Sequence, residues 1–287
     1  MIEIFAPAGF GEVRPGDDLA QLTLTALAGD PRWALRDGDI VVVTSKIVSK
    51  AEDRFIALED KQAARAAESR RIVARRGETV IVEHRLGLVH AAAGIDASNV
   101  DAGRALLLPR DPDASARRIR AGLTAATGRR LGVLISDTAG RAWRNGQTDL
   151  AIGLAGVLAV DSHVGRVDDY GNDLRVTEIA VADEIAAAAD LAKTKLGGRP
   201  VAVVRGLAHL VTEADGAAAE LLRDEDRDFF RLGRREAVVE AVLRAIGRPE
   251  AYAEVVELDG AELVAAVCAG LADGERSWVE RLLTGVV

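Results

Sequence analysis

Residues 39–44 read DIVVVT, an unbroken run of β-branched apolar side chains that predicts a strand buried on both faces. The same pattern returns at 131–136 (LGVLIS) and 201–205 (VAVVR). Each run stops at a polar boundary: Ser45 and Lys46 after the first, Asp137 and Thr138 after the second, Arg205 and Gly206 at the third. Residues 79–83 (TVIVE) and 86–91 (LGLVHA) predict the two strands of a hairpin, and 105–108 a further short strand. The segment 149–160 (DLAIGLAGVLAV) is apolar but carries too many glycines for a helix, which points to a strand or bulged strand. Helical character is predicted over 61–76, ending at Gly77, and over 177–193. The clearest helix start lies at Asp111, a side chain suited to the N-cap; Pro112 and Asp113 suit the first turn and Gly128 the stop. The intervening segment 137–149 (DTAGRAWRNGQTD) reads as a loop. Beyond about Phe229, segments 234–246, 260–272 and 275–284 have helical spacing with no strand between them, so 246–287 reads as a helical C-terminal extension.

Composition narrows the class. The chain has 287 residues, 49% of them hydrophobic, which fits a globular protein with a sizeable core. A net charge of −8 argues against non-specific nucleic-acid binding, so an anionic ligand would need a local basic pocket. The single cysteine, Cys268, excludes an internal disulfide framework and any cysteine metal cluster, and suits a reducing, cytoplasmic setting. The N-terminus, MIEIFAPAGF, lacks a basic region followed by an apolar stretch, and no apolar run reaches the length of a membrane span.

The charged residues add a clue. Of 37 basic residues only five are lysines (46, 50, 61, 193 and 195), and two of them fall together in TSKIVSK after the first strand. A lysine ammonium is a compact point charge suited to phosphate; a solvated loop charge is the other reading. Asp96, in GIDASN, and Asp137, in ISDTAG, are candidate ligands for a hard divalent cation, with Thr138 adding a hydroxyl oxygen; as turn residues bonding their own backbone they would need no metal. Arg141 and Arg144 would either clamp an anion or lie in solvent, with Trp143 between them. The chain has no Walker P-loop, no H-E-x-x-H and no G-x-S-x-G; His84 and His90, flanking the expected hairpin, read as structural.

Taken in order, RPGDDLA (14–20), DGDIVVVTSKIVSKAEDR (37–54), AAAGIDASNV (91–100), LLLPRDPDASARRIR (106–120), GVLISDTAGRAWRNGQTDLAIGLAGV (132–157), DDYGNDLRVTEIAVADEIAAAADL (168–191) and PVAVVRGL (200–207) resemble the coenzyme F420-0:L-glutamate ligases, the γ-glutamyl ligases of coenzyme F420 biosynthesis. The resemblance covers nearly all of residues 1 to about 235 and implies an α+β, mixed-sheet fold over 1–245. It further implies a homodimeric, GTP-dependent amide ligase that uses Mg²⁺ or Mn²⁺ and is helped by K⁺. Such an enzyme joins L-glutamate to the carboxylate of coenzyme F420-0 and then adds further γ-linked glutamates.

Carried over residue by residue, nucleotide contacts fall on Phe10, Gly11, Glu12, Val13, Ser45, Lys50 and Asn99, and metal contacts on Asp96, Asp137 and Thr138. One departure stands out. Where many members carry a Met-Gly-Gln/Glu-type segment with a further metal or nucleotide contact, this chain has Lys193-Thr194-Lys195-Leu196-Gly197-Gly198. A lysine there would either replace a cation or contact phosphate. Some relatives continue into a flavin-dependent reductase domain; too little sequence follows the ligase region here for one, so no FMN site is expected. Two rival readings stay open: a related ligase acting on a different acid, and a catalytically silent GTP-binding subunit.

Overall fold

Strands covered on both faces have no polar side to show, so the three apolar runs become the interior of a sheet. In the computed structural model, which describes residues 1–286, the strands are β1 (Glu3–Phe5), β2 (Ile40–Thr44), β3 (Phe55–Ala57), β4 (Ser69–Arg76), β5 (Thr79–His84), β6 (Val89–Ala91), β7 (Arg104–Leu106), β8 (Gly132–Arg141), β9 (Arg144–Ala155), β10 (Asp161–Ser162), β11 (Glu178–Ile179) and β12 (Val201–Arg205). The helices are α1 (Leu19–Leu27), α2 (Ser45–Ala51), α3 (Lys61–Glu68), α4 (Pro112–Thr127), α5 (Val181–Lys193), α6 (Arg234–Ala245), α7 (Tyr252–Val255), α8 (Gly260–Cys268) and α9 (Asp273–Thr284).

The chain forms two compact units, drawn differently from the expected split at 246: residues 1–61 with 95–222, and residues 62–94 with 223 onward. The first unit holds a five-stranded mixed sheet in the order β1-β12-β2-β8-β9. Only β2 and β8 run parallel, pairing Val42 with Leu134 and Thr44 with Ser136; the other pairs are antiparallel. One face, carrying Ile40, Val42, Leu134, Ala202 and Val204, packs on α5 through Ala182, Ile185, Ala186 and Ala189. The opposite face receives α4. The Asp111 side chain accepts the Ala114 N–H as N-cap and Gly128 closes the helix at φ +66°, as the sequence predicts.

The second unit pairs a three-stranded antiparallel sheet, β4-β5-β6, with the C-terminal helices. Val239, Leu243, Leu263, Val267, Val279 and Leu283 form its helical core. His84, fully buried, contacts Glu68 through Nε2 and accepts the Leu86 N–H at Nδ1. Burial, with His84 nearby, pushes His90 down to about 4, in keeping with a neutral packing residue.

Three sequence expectations change. The helix expected over 61–76 ends at Glu68, and Ser69–Arg76 is a strand. Its alanines and arginines favour helix weakly, but pairing with the β-branched TVIVEH strand outweighs that preference. The expected loop 137–149 is instead the two arms of the β8–β9 hairpin, turning at Ala142 and Trp143 with Trp143 at φ +64°. The helix expected from 177 starts at Val181, after the short strand β11.

Gly153 fixes how α4 seats on β9. A Cβ there would lie 2.4 Å from the Pro112 carbonyl carbon and 2.5 Å from its Cβ. Gly153→Ala is therefore expected to cost about 2–3 kcal/mol through overpacking and to lower Tm by roughly 4–10 °C. A melting temperature within about 1 °C of wild type would show that α4 does not rest on this glycine.

Candidate active site

The parallel pairing of β2 with β8 stops at Thr44 and Ser136, where β2 ends and β8 runs on to Arg141, so the residues that follow Thr44 and Ser136 meet. Ser45 Oγ donates to Asp137 Oδ1 at 2.5 Å across 92 residues of sequence. TSKIVSK continues as the seven-residue helix α2, where the sequence pattern suggested only a strand end. The helix explains the lysine pair. Positions 46 and 50 are one turn apart and share a helix face. Lys46 Nζ lies 2.8 Å from Asp96 Oδ2 and donates to Ser98 O at 2.8 Å and Ser98 Oγ at 2.6 Å. Lys50, 7% exposed at its side chain, donates to Glu12 in the N-terminal loop. Neither lysine is a solvated loop charge.

Asp96 is held in place before any ligand arrives. Its backbone bridges to Leu106, and its carboxylate accepts Ser98 N–H at 2.7 Å and Ser98 Oγ at 3.0 Å. Burial pushes its pKa up, but the Lys46 and Ser98 hydrogen bonds outweigh it and hold the carboxyl below its usual range. Asn99, next in the turn, is exposed at φ +55°. Asp137 is the opposite case. Burial pushes its carboxyl up to about 7; the Ser45 hydrogen bond opposes this, and the charges of Asp149 and Asp96 add to it. A divalent cation would relieve that crowding.

The donor set fits one. Asp96, Asp137 and Ser45 offer only hard oxygen ligands. Among the described residues no group of three His, Cys, Asp or Glu side chains is placed to hold a metal. A cation here would rest on two carboxylates and complete its shell from substrate phosphate and water. Thr138 does not share that side. Successive residues of a strand face opposite ways, and Thr138 Oγ1 donates to Asp149 Oδ1 at 2.8 Å, beneath α5.

The N-terminal loop residues differ among themselves. Val13 is buried, Phe10 half-buried, and Gly11 and Glu12 are exposed; Glu12 alone is tied to the site, through Lys50. Sequence reasoning left Lys46 ambiguous and passed over Asp149, which lies 2.7 Å from Lys193. The scarcity of lysine was the available signal: Lys46, Lys50 and Lys193 all take carboxylate partners. Trp143 is 88% exposed at the hairpin tip.

Fold and site define an α+β protein that gathers carboxylates and ammonium groups where the pairing of two parallel strands stops. The sequence profile of the family described as F420-0:Gamma-glutamyl ligase matches residues 9–206. The chain is 40% identical over 250 residues to the Coenzyme F420:L-glutamate ligase of Methanothermobacter thermautotrophicus, covering 80% of this chain and 99% of that protein. It is 40% identical over 251 residues to the protein of the same name from Archaeoglobus fulgidus, covering 80% and 96%. For the protein of that name from Methanopyrus kandleri the identity is 36% over 242 residues, covering 77% and 94%. The chain belongs to the F420-0:gamma-glutamyl ligase family. No helix among its described residues is long and apolar enough to cross a membrane.

The raised Asp137 carboxyl carries a stability prediction. A folded-state pKa above the usual 3.8 means that the folded protein binds the extra proton, so stability falls as pH rises from about 4 to about 7. In chelator-treated buffer, Asp137→Asn should melt a few degrees above wild type at pH 8, about 2–4 °C per kcal/mol, with the gain shrinking toward pH 4. A gain that does not change with pH would mean that Asp137 does not titrate in this range.

Proposed function

We propose that the protein is a GTP-dependent ligase that adds L-glutamate to coenzyme F420-0 and then further γ-linked glutamates, releasing GDP and phosphate. The observation that carries this reading is the pairing of Lys46 with Asp96 and of Ser45 with Asp137, gathered where the β2–β8 pairing stops. Family membership supplies the reaction class, since relatives covered almost end to end are named for that ligation.

A carboxylate is a poor acyl donor. In the proposed reaction an oxygen of the acceptor carboxylate attacks the γ-phosphorus of GTP, the bond to the β-phosphate oxygen breaks, and GDP leaves. The amine of glutamate then attacks the acyl carbon of the acyl phosphate, and the carbon–oxygen bond to phosphate breaks as the amine gives up its proton. Phosphoryl transfer needs alignment and charge neutralisation rather than a protein nucleophile, which suits a site of carboxylates and ammonium groups.

Within this reading Asp96 and Asp137 hold Mg²⁺ or Mn²⁺. Bound there, the cation would neutralise phosphate charge. Lys46 keeps Asp96 ionised and oriented, and the Ser45 hydroxyl orients the nearer oxygen of Asp137. Lys50, now on Glu12, is the cation that would turn to phosphate as the N-terminal loop closes on the nucleotide, with Phe10, Gly11, Val13 and Asn99 around it. The protein works as a homodimer in this proposal.

The test is direct. Purified protein with GTP, Mn²⁺, L-glutamate and coenzyme F420-0 should release GDP and yield products heavier by whole glutamyl units in mass spectrometry. Asp137→Ala should lower kcat by at least about 100-fold while keeping the fold. GDP release without a glutamylated product would point to a different acid, and no GDP release at all would sink the ligase reading.

A further inference from the structure

Beneath the site, on the α5 side of the sheet, lies a charge pair that the proposed chemistry does not use. Lys193 is 4% exposed and Asp149 2% exposed. Lys193 Nζ donates to Asp149 Oδ2 at 2.7 Å and to Ser136 Oγ at 2.7 Å. Ser136 Oγ donates a hydrogen bond to Asp149 Oδ2 at 2.8 Å, and Thr138 Oγ1 donates one to Asp149 Oδ1 at 2.8 Å. Both hydroxyl protons therefore go to one carboxylate, and Ser136 turns a lone pair to the ammonium.

The backbone builds this arrangement. Thr138 and Asp149 are direct cross-strand partners on β8 and β9. A register shift after Ile135 sets Ala151 against Ser136 and so brings Asp149 to the face where Ser136 and Thr138 point. Lys193 is the last residue of α5, where the helix carbonyls also favour positive charge. Thr194 breaks the helix immediately afterwards at φ +57°.

An ammonium group held by a carboxylate and a hydroxyl, out of water, has the surroundings of a bound monovalent cation. NH₄⁺ and K⁺ are close in size and both take oxygen ligands. We propose that the Lys193 ammonium is a tethered internal cation that fills the oxygen pocket of Asp149 and Ser136, closed by Thr138. This side of the site then takes no free cation, and K⁺ or NH₄⁺ enters only when the lysine is removed. Thr138 is accordingly a wall of the ammonium pocket rather than a ligand of the divalent cation. Lys193 is a positioning residue: through Asp149 it fixes the strand that presents Asp137. The meaning for turnover rests on the ligase reading above, but the pocket itself is tested without substrate.

The experiment is a set of thermal melts in 200 mM choline chloride, NaCl, KCl and NH₄Cl on the full chain. Wild type should melt within about 1 °C in all four. Lys193→Met, which keeps the stem but leaves Asp149 buried without its partner, should fall by roughly 10 °C in choline. KCl or NH₄Cl should recover about 4 °C or more of that loss, NaCl less. Asp149→Asn combined with Lys193→Met removes both charges; it should melt higher than Lys193→Met in choline and show no preference for K⁺. The proposal is overturned if Lys193→Met stays unfolded in every salt, if KCl brings no recovery, or if the double variant responds to K⁺ as strongly as the single one. If the ligase assay succeeds, KCl should raise the turnover of Lys193→Met by a larger factor than that of wild type; an equal factor in both would overturn the internal-cation role while leaving the ligase reading intact.

Discussion

The parallel pairing of β2 with β8 is the constraint on which the rest of the site depends. Parallel neighbours cannot be joined by a tight turn; the chain between them must cross over. That requirement places β3, the Asp96 loop, β7 and α4 between Thr44 and Gly132. It also sets the two ends of that pairing, Thr44 and Ser136, side by side, so that Ser45 and Asp137 arrive together although 92 residues separate them. Once those ends are fixed, α2 carries its lysines over them, and Asp96, bridged to Leu106, is brought within reach of Lys46. No single loop contains the site. It is the meeting of a strand end, a short helix and a crossover loop.

The lysine pattern has a physical explanation in this arrangement. Ionised groups leave water at a cost that only good geometry and further hydrogen bonds offset. A compact ammonium with three donors can satisfy a carboxylate and a hydroxyl or carbonyl at once in little space. Lys46 does this with Asp96 and Ser98, and Lys193 with Asp149 and Ser136. The broader guanidinium is used where the partners are more spread out, as where Arg205 spans Asp39 and the Ala34 carbonyl.

What the sequence made legible was whatever had a local cause. The buried strands show as unbroken apolar runs, and α4 carries its start and stop in Asp111, Pro112 and Gly128. Pairing partners are not local, and that is where the reading failed. Ser69–Arg76 looks helical by composition and is a strand because of Thr79–His84. The β8–β9 hairpin looks like a loop because its outer half carries polar residues on both faces; Arg144, Asn145, Gly146 and Gln147 are all exposed. At the site, Asp137 and Ser45 stood out because each follows an apolar run, and Asp96 because it sits in the turn GIDASN. Asp149 did not, because its partners Ser136, Thr138 and Lys193 come together only through cross-strand register and helix packing.

Alternation along one strand then gives the site its electrostatic design. Ser136 and Thr138 face α5, and Asp137 between them faces α2. Three consecutive residues therefore border two separate environments, one filled by the Lys193 ammonium and one holding Asp137 beside Ser45. With Asp96, Asp137 and Asp149 ionised, Lys46 and Lys193 leave one negative charge among these five groups. That residue of charge sits on Asp137, the carboxyl pushed up to about 7 by burial with Asp149 and Asp96 nearby. A divalent ion joining it would turn the balance to one positive charge, facing the side from which Lys50 also approaches. With the α5 side neutralised, a divalent ion on the α2 side, as proposed, would favour a polyanion on that face of the sheet only. In the proposed ligase reaction phosphate would be met on the α2 face, while a free cation on the α5 side would leave occupancy there to ionic conditions.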